Sequence, residues 1–288
     1  MRLLTTTLAI WLLLLLVPAT AAPEFPFSAP VLVDLGFFKI TNSMVAMWLV
    51  ALAIIIVAQL ATRNVALIPT RLQNFLETII EGLQEFLGSI MGAKLARQTF
   101  WFFGSVFIFI ISANWMGLLP GVGTVGIKHV NDAGETVEMI PFLRGANADL
   151  NTTLALALVF FACWLYWAVK SNGVGGFLSH IFVYHGDGKG AMKVMLLVIF
   201  FLVGFLEVVS IAIRPVTLTF RLYGNIYAGE SLFKLMLYMG GNFGWLTALP
   251  FYFLELLVGA IQALVFTLLT AVFTSLMCSH EEAEHHDH

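Results

Sequence analysis

The chain has 288 residues, of which 60% are hydrophobic and 11% charged, with a net charge of −3 at neutral pH and a mean hydropathy of +0.93. A soluble domain of this size carries roughly a quarter charged residues, so the composition excludes an ordinary water-covered globule and makes lipid the main solvent. The weak acidity and the lack of a basic patch exclude a nucleic-acid partner.

The N-terminal stretch reads as a leader. Arg2 precedes the apolar run "LAIWLLLLLV", and "PATAA" follows with small residues at the spacing of a leader-peptidase site. This predicts a signal-peptide-like segment over 1–21 with cleavage after Ala21, followed by a single transmembrane domain over 22–278. The rival reading is a retained first anchor, for which the run is short.

Apolar segments long enough to cross about 30 Å of hydrocarbon lie at 44–61, 99–119, 150–169, 194–240 and 248–278. Between the first two, Leu72, Phe75, Leu76, Ile79, Ile80, Leu83, Phe86 and Leu87 recur at i, i+3, i+4 and i+7. Arg71, Glu77, Glu81 and Glu85 fall elsewhere on the wheel. That pattern predicts an amphipathic helix lying in the membrane interface, with Pro69 in its first turn.

Basic residues orient the chain. Arg63, Arg71, Lys94 and Arg97 flank the amphipathic helix, and Lys170, Lys189 and Lys193 mark a loop near 170–193. The 121–149 loop carries Lys128 and Arg144 against Asp132, Glu135, Glu138 and Asp149, and 241–247 carries no charge. The positive-inside rule puts the first two regions inside, the last two outside, the N-terminus outside and the C-terminus in the cytoplasm. The tail "SHEEAEHHDH", 279–288, reads as a solvated acidic, His-rich end. Cys163 and Cys278 read as two separate thiols within apolar sequence.

Residues 194–240 as one helix would reach about 70 Å, over twice the hydrocarbon thickness. A two-span alternative needs a turn near Arg214-Pro215, where no Gly, Asn or Asp stands. The favoured reading is one long, bent, strongly tilted helix. Residues 248–278 would return antiparallel after "MGGNFGW", completing a tilted hairpin over 194–278.

This hairpin carries polar groups at lipid depth. Glu207, Arg214 and Arg221 are spaced by seven, each about 20° from the last on the wheel, and Ser210 and Asn225 join the stripe. Glu230 turns away from Arg221 and has Lys234 at i+4, an ion-pair spacing. Glu255 and Gln262 again lie seven apart, and Glu255 has no neighbouring base in sequence. Each charge at mid-membrane costs about 2.5–3.5 kcal/mol on insertion scales, so such residues face a partner, a polar cavity or an ion path. Structural readings compete: Arg214 snorkelling to the inner interface, Arg221 paired within its own chain, and Asn225 or Gln262 bonding a neighbouring helix.

At "PVTLTFRLYGNIYAGE" the chain resembles subunit a of the bacterial F-type ATP synthase, the stationary half of the membrane ion motor. "IPTRLQNFLETI", "ANWMGLLPG", "NADLNTTLALAL" and "GAIQALVFTLLTAVF" resemble further family stretches in the same order. The resemblance implies an all-α polytopic membrane protein with about five membrane helices and one interfacial helix, the last two membrane helices long and strongly tilted. It implies ion translocation, with no catalytic site and no cofactor. Arg221 would face the rotating c-subunit ring, with Asn225 and Gln262 near that contact. Glu230 and Glu255 would line the outer half-channel, and Glu207 and Ser210 the inner one. The implied partners are the c ring, the b subunits, the remaining synthase subunits, the bilayer and the translocated H⁺, with Na⁺ the other candidate ion. The family often has a histidine at one outer-channel position, where both residues here are glutamates, and Lys234 stands where many relatives are apolar.

Two other classes compete. A self-contained secondary transporter or channel would use the same buried charges and be active alone. An intramembrane enzyme is disfavoured because no HExxH, GxSxG or phosphate loop occurs.

Overall fold

The computed structural model describes residues 29–36, 39–63, 65–66, 69–123, 125–130, 136–181 and 191–278. The expected leader, 1–21, and tail, 279–288, lie outside the described residues.

Among the described residues six helices form the body: α1 Asn42–Thr62, α2 Arg71–Met91, α3 Ala93–Gly117, α4 Leu150–Ile181, α5 Ala191–Met239 and α6 Gly244–Cys278. All except α2 contain stretches long and apolar enough to cross a membrane. The chain is a multi-pass, all-α membrane protein with one amphipathic helix. Two small antiparallel hairpins join it, β1 Val31–Asp34 with β2 Lys39–Thr41, and β3 Gly126–Val130 with β4 Thr136–Pro141. Neither hairpin follows from the apolar periodicity.

Helix α2 begins at Arg71, two residues after Pro69. Thr70 is the N-cap, its hydroxyl accepting from the Gln73 amide at 3.4 Å, so Pro69 precedes the helix rather than entering its first turn. Of the apolar stripe, Leu83, Leu87 and Met91 are buried against α3, whereas Leu72, Phe75 and Ile80 stay exposed. The core is aromatic: Phe102 and Phe103 of α3 meet Phe160 and Trp167 of α4, and Phe266 of α6 closes the layer. Helix α1 touches the rest through Ala46 and Val50 near Ala113, and most of its outer residues are exposed.

Helix α4 runs further than the apolar count indicated. It passes Lys170, is broken only at Gly173 (φ 68°, ψ 168°) and continues to Ile181, so half of the expected 170–193 loop is helical. The Asn172 side-chain amide donates to the Met277 carbonyl at 2.6 Å and fixes this end of α4 to α6.

Helix α5 is one helix of 49 residues with Pro215 inside it, about 73 Å long at 1.5 Å per residue. The two-span alternative is therefore wrong. Its return is a 3-10 turn, Gly241–Phe243, with Gly241 at φ 51°. Gly240 and Gly244 let the helix ends meet: a Cβ on Gly244 would overlap the Leu237 carbonyl oxygen, and one on Gly240 would overlap Gly244 Cα. Backbone cannot yield as a flexible side chain can. Gly244→Val should therefore abolish accumulation of the chain in membranes, measured by immunoblot. Gly88→Ala, where a Cβ meets nothing within 4 Å, should leave it unchanged.

Candidate functional site

The polar residues of α5 do not share one environment, although they share one stripe. In the N-terminal half of α5, the Arg214 guanidinium donates to Glu207 Oε1 at 3.1 Å. It lies 5.5 Å from the Trp164 ring centroid on α4 and 4.6 Å from the Phe273 ring on α6. This cation is neutralised and packed between rings, rather than snorkelling freely, and it ties three helices together. Trp164 is itself fixed, donating Nε1 to the Phe273 carbonyl at 3.1 Å. Glu207 is thus a paired acid, while Ser210 is exposed.

Two turns on, Arg221 differs. Leu218, Leu222 and Ile226 turn into the core on one side, and Val216, Phe220 and Asn225 are exposed on the other. Arg221 sits half-buried at this border. Among the described residues no acid pairs with it, the ion pairs being Lys39–Asp34, Arg144–Glu230, Arg214–Glu207 and Lys234–Glu230. One turn further, the Asn225 amide donates to Gln262 Oε1 at 2.7 Å, a bond between α5 and α6. Gln262 is buried, and its Nε2 finds no partner within the described residues. The Asn225–Gln262 bond therefore runs from an open edge of α5 into the bundle, one turn from Arg221.

The two glutamates lie nearer the turn that joins α5 to α6. Glu255 is 5% exposed. Room for its carboxylate comes from Gly229, where a Cβ would overlap both carboxylate oxygens. Glu230 follows directly in sequence but pairs elsewhere, with Lys234 on Oε1 as the i+4 spacing predicted and Arg144 on Oε2 at 3.6 Å. The expected site residues therefore fall into three groups: Glu207 and Arg214 with the exposed Ser210, then Arg221 with Asn225 and Gln262, then Glu230 beside Glu255.

Sequence reasoning missed Arg144, Asn114, Asn147 and Gly229. The 121–149 loop read as external and polar, yet its end folds inward, with Arg144, Ala146, Asn147, Ala148 and Asp149 all buried. Asn147 donates to Asn114 at 2.7 Å, and Asn114 donates to the Gly259 carbonyl of α6 at 2.9 Å. No local sequence signal marked Arg144, which reads as one of two basic residues in a polar, acidic loop.

A family model described as ATP synthase A chain matches residues 44–275. That span runs from α1 to the end of α6 and includes every residue of the three groups.

The chain belongs to the ATP synthase A chain family.

ATP synthase subunit a of Solidesulfovibrio magneticus is 30% identical over 241 residues, covering 84% of this chain and 86% of that protein. The subunit a of Aliarcobacter butzleri is 32% identical over 231 residues, covering 80% and 86%. That of Aliivibrio fischeri is 31% identical over 258 residues, covering 88% and 86%. In this A chain the aromatic clamp on Arg214 is a bundle contact with a measurable stability. Trp164→Ala should destabilise the detergent-solubilised chain by about 3 kcal/mol or more, seen as a lower thermal unfolding midpoint. Val216→Ala on the exposed face should not move it.

Proposed function

We propose that this chain is the ion-conducting stator of a bacterial F-type ATP synthase, working against a rotating ring of c subunits. Its partners would include the b subunits and the rest of the complex. It would sit in the plasma membrane with its N-terminus outside and its C-terminus in the cytoplasm, as the distribution of Lys and Arg favours. The leader over 1–21, the transmembrane domain over 22–278 and the acidic tail belong to the same reading.

One observation carries the proposal. A guanidinium without an acid among the described residues sits half-buried on the exposed apolar edge of a membrane helix. Such a charge costs several kcal/mol in lipid unless an external anion meets it. Guanidinium stays protonated at any physiological pH, so it is a permanent cation. A rotor carboxylate arriving opposite Arg221 is favoured in its ionised form and releases its proton. To leave Arg221 and enter lipid it must first be neutralised, and the proton for this comes from the other access route. The same cation repels a proton that would pass straight between the routes. Each charge driven across is worth about 2.3 kcal/mol per 100 mV, and the obstruction sends that energy through rotation.

Residue roles follow from position. Asn225 and Gln262 would set the surface beside Arg221 through their mutual hydrogen bond. Glu255 and Glu230 would serve the outer route, and Glu207 and Ser210 the inner one. The choice between H⁺ and Na⁺ rests with the rotor's own carboxylate site. A self-contained transporter is not favoured, because an uncompensated cation on an outer edge asks for a partner chain rather than an internal pore.

Arg221→Ala should assemble into the complex and abolish both proton-driven ATP synthesis and ATP-driven pumping in inverted membrane vesicles; coupled pumping at the normal rate would sink the assignment. Gly229→Ala should slow proton-driven synthesis by about tenfold or more, since displacing a reacting group by about an ångström has effects of that order. The check is the synthesis rate at equal complex content.

A further inference from the structure

Between α1 and α3 the bundle is hollow. A groove of about 530 Å³ runs there, walled by Ala51, Ile55 and Ala58 of α1 and by Trp101, Ser105 and Ile108 of α3. No charged side chain lines it. The Ser105 hydroxyl is turned back onto its own helix, donating to the Trp101 carbonyl at 2.6 Å. One end is shut where Ala46 and Val50 of α1 close on Ala113, with Phe109 packed against them. From Phe100 to Phe109 the groove follows α3 for about 14 Å, half of the roughly 30 Å of hydrocarbon. A membrane-spanning helix needs the whole of that thickness. An acyl chain of one leaflet needs half.

The open end is marked by charge and by aromatic rings. Lys94, Arg97, Trp101, Gly104 and Ile108 follow one another at i, i+3, i+7, i+10 and i+14. The stripe of α3 that walls the groove therefore begins with two cations. Lys170 reaches the same end from α4. Its Nζ lies 5.6 Å from the Tyr166 ring centroid, and Trp167, one turn back, meets Trp101 edge-on at 6.3 Å. Trp167 is itself held between Phe102 and Phe103. Lys94, Arg97 and Lys170 are exposed, and none forms an ion pair among the described residues. The acids of α2, Glu77, Glu81 and Glu85, form none either. Unpaired basic residues beside amphipathic rings are the arrangement that holds an anionic headgroup at a membrane surface.

We propose that this is a binding site for one anionic phospholipid. Lys94, Arg97 and Lys170 take the phosphate headgroup beside the rings of Trp101 and Tyr166, and one acyl chain lies in the groove between α1 and α3. A zwitterionic lipid has the same chain but not the net charge that three cations attract. The site stands apart from the stator reading, since it uses none of the residues on which that reading rests.

The test places the full chain in phosphatidylcholine bilayers and titrates in phosphatidylglycerol or phosphatidylcholine with brominated acyl chains. Bromine quenches a tryptophan that it touches, and the share of Trp101 is the difference between the chain and Trp101→Phe. Brominated phosphatidylglycerol should reach half-quenching at a mole fraction about tenfold or more below that of brominated phosphatidylcholine. Each of K94Q, R97Q and K170Q should cut this preference by about fivefold, the effect of one basic residue near a bilayer surface. R97K, which keeps the charge, should retain it. Ala58→Phe puts a ring into the groove and should raise the phosphatidylglycerol half-point by about tenfold, whereas Leu52→Phe, outside the lining of the groove, should not.

Equal half-points for the two lipids, or a preference that survives in K94Q/R97Q/K170Q, overturn the proposal and leave an ordinary annulus of lipid. The acidic tail follows Cys278, whose carbonyl accepts from Ser171 beside Lys170 at 3.4 Å. A preference seen only after truncation at Cys278 would give the three cations to that tail and overturn the lipid site. Displacement by inorganic phosphate would make it a site for a free anion. Loss of the Trp101 quenching in the whole synthase complex would give the groove to a neighbouring subunit. Either result overturns the proposal as well.

Discussion

A guanidinium that no acid among the described residues balances, at the edge of a membrane helix, is the constraint around which this bundle is arranged. The other helix-borne and loop-borne cations near lipid depth are balanced inside the chain. Arg214 has Glu207 and two aromatic rings, and Arg144 and Lys234 share Glu230. Arg221 is left with a hydrophobic flank and an open side. A fold selected for stability alone would supply an acid there, since a charge at mid-membrane costs about 2.5–3.5 kcal/mol on insertion scales. On the stator reading proposed above, that open side would receive a passing rotor carboxylate.

Around that edge the two long helices are joined by devices that allow close approach and resist sliding. The Asn225–Gln262 bond spans the helix pair beside Arg221. The glutamate-for-glycine fit at Gly229 spans it one turn further out, and the Gly240–Gly244 contact closes its end. Thr267, Thr270 and Thr274 of α6 are buried and return their hydroxyls to carbonyls of the preceding turn. They add width without leaving polar groups unsatisfied in lipid. Transverse force on Arg221 is therefore carried into the whole bundle through α6.

Much of the architecture was legible because lipid imposes simple rules. Five apolar stretches became five membrane-length helices, the 3.6-residue period of 71–91 became α2, and the absence of turn residues near Pro215 correctly kept α5 whole. The Glu230–Lys234 pair was legible because i+4 neighbours on a helix must meet. Contacts between distant segments were not. Nothing local connects Arg144 to Glu230 or Gly229 to Glu255, because their meeting is decided by how the segment after β4 docks on α3 and α6. Helix α4 was read short for a related reason: its apolar run stops before Lys170, but an Asn172 side-chain bond to the Met277 carbonyl holds the helix beyond that point against α6. The stripe of Glu207, Arg214 and Arg221 was a correct alignment and an incomplete description, since angular position on a wheel does not reveal which neighbour waits at each level.

The length of α5 has a geometric corollary. Its apolar stretch Val198–Met239 is about 63 Å long, so to remain within about 30 Å of hydrocarbon it must run as a ramp. On a ramp, residues at different depths are also displaced sideways. Glu207 and Arg221, about 21 Å apart along the axis, are separated laterally as well as vertically. Depth is thereby converted into bearing, so an occupant moving round a cylinder beside this helix meets its two ends at different angles. A vertical helix bearing the same side chains would present them all on one meridian, and such a machine would have no preferred sense of turning.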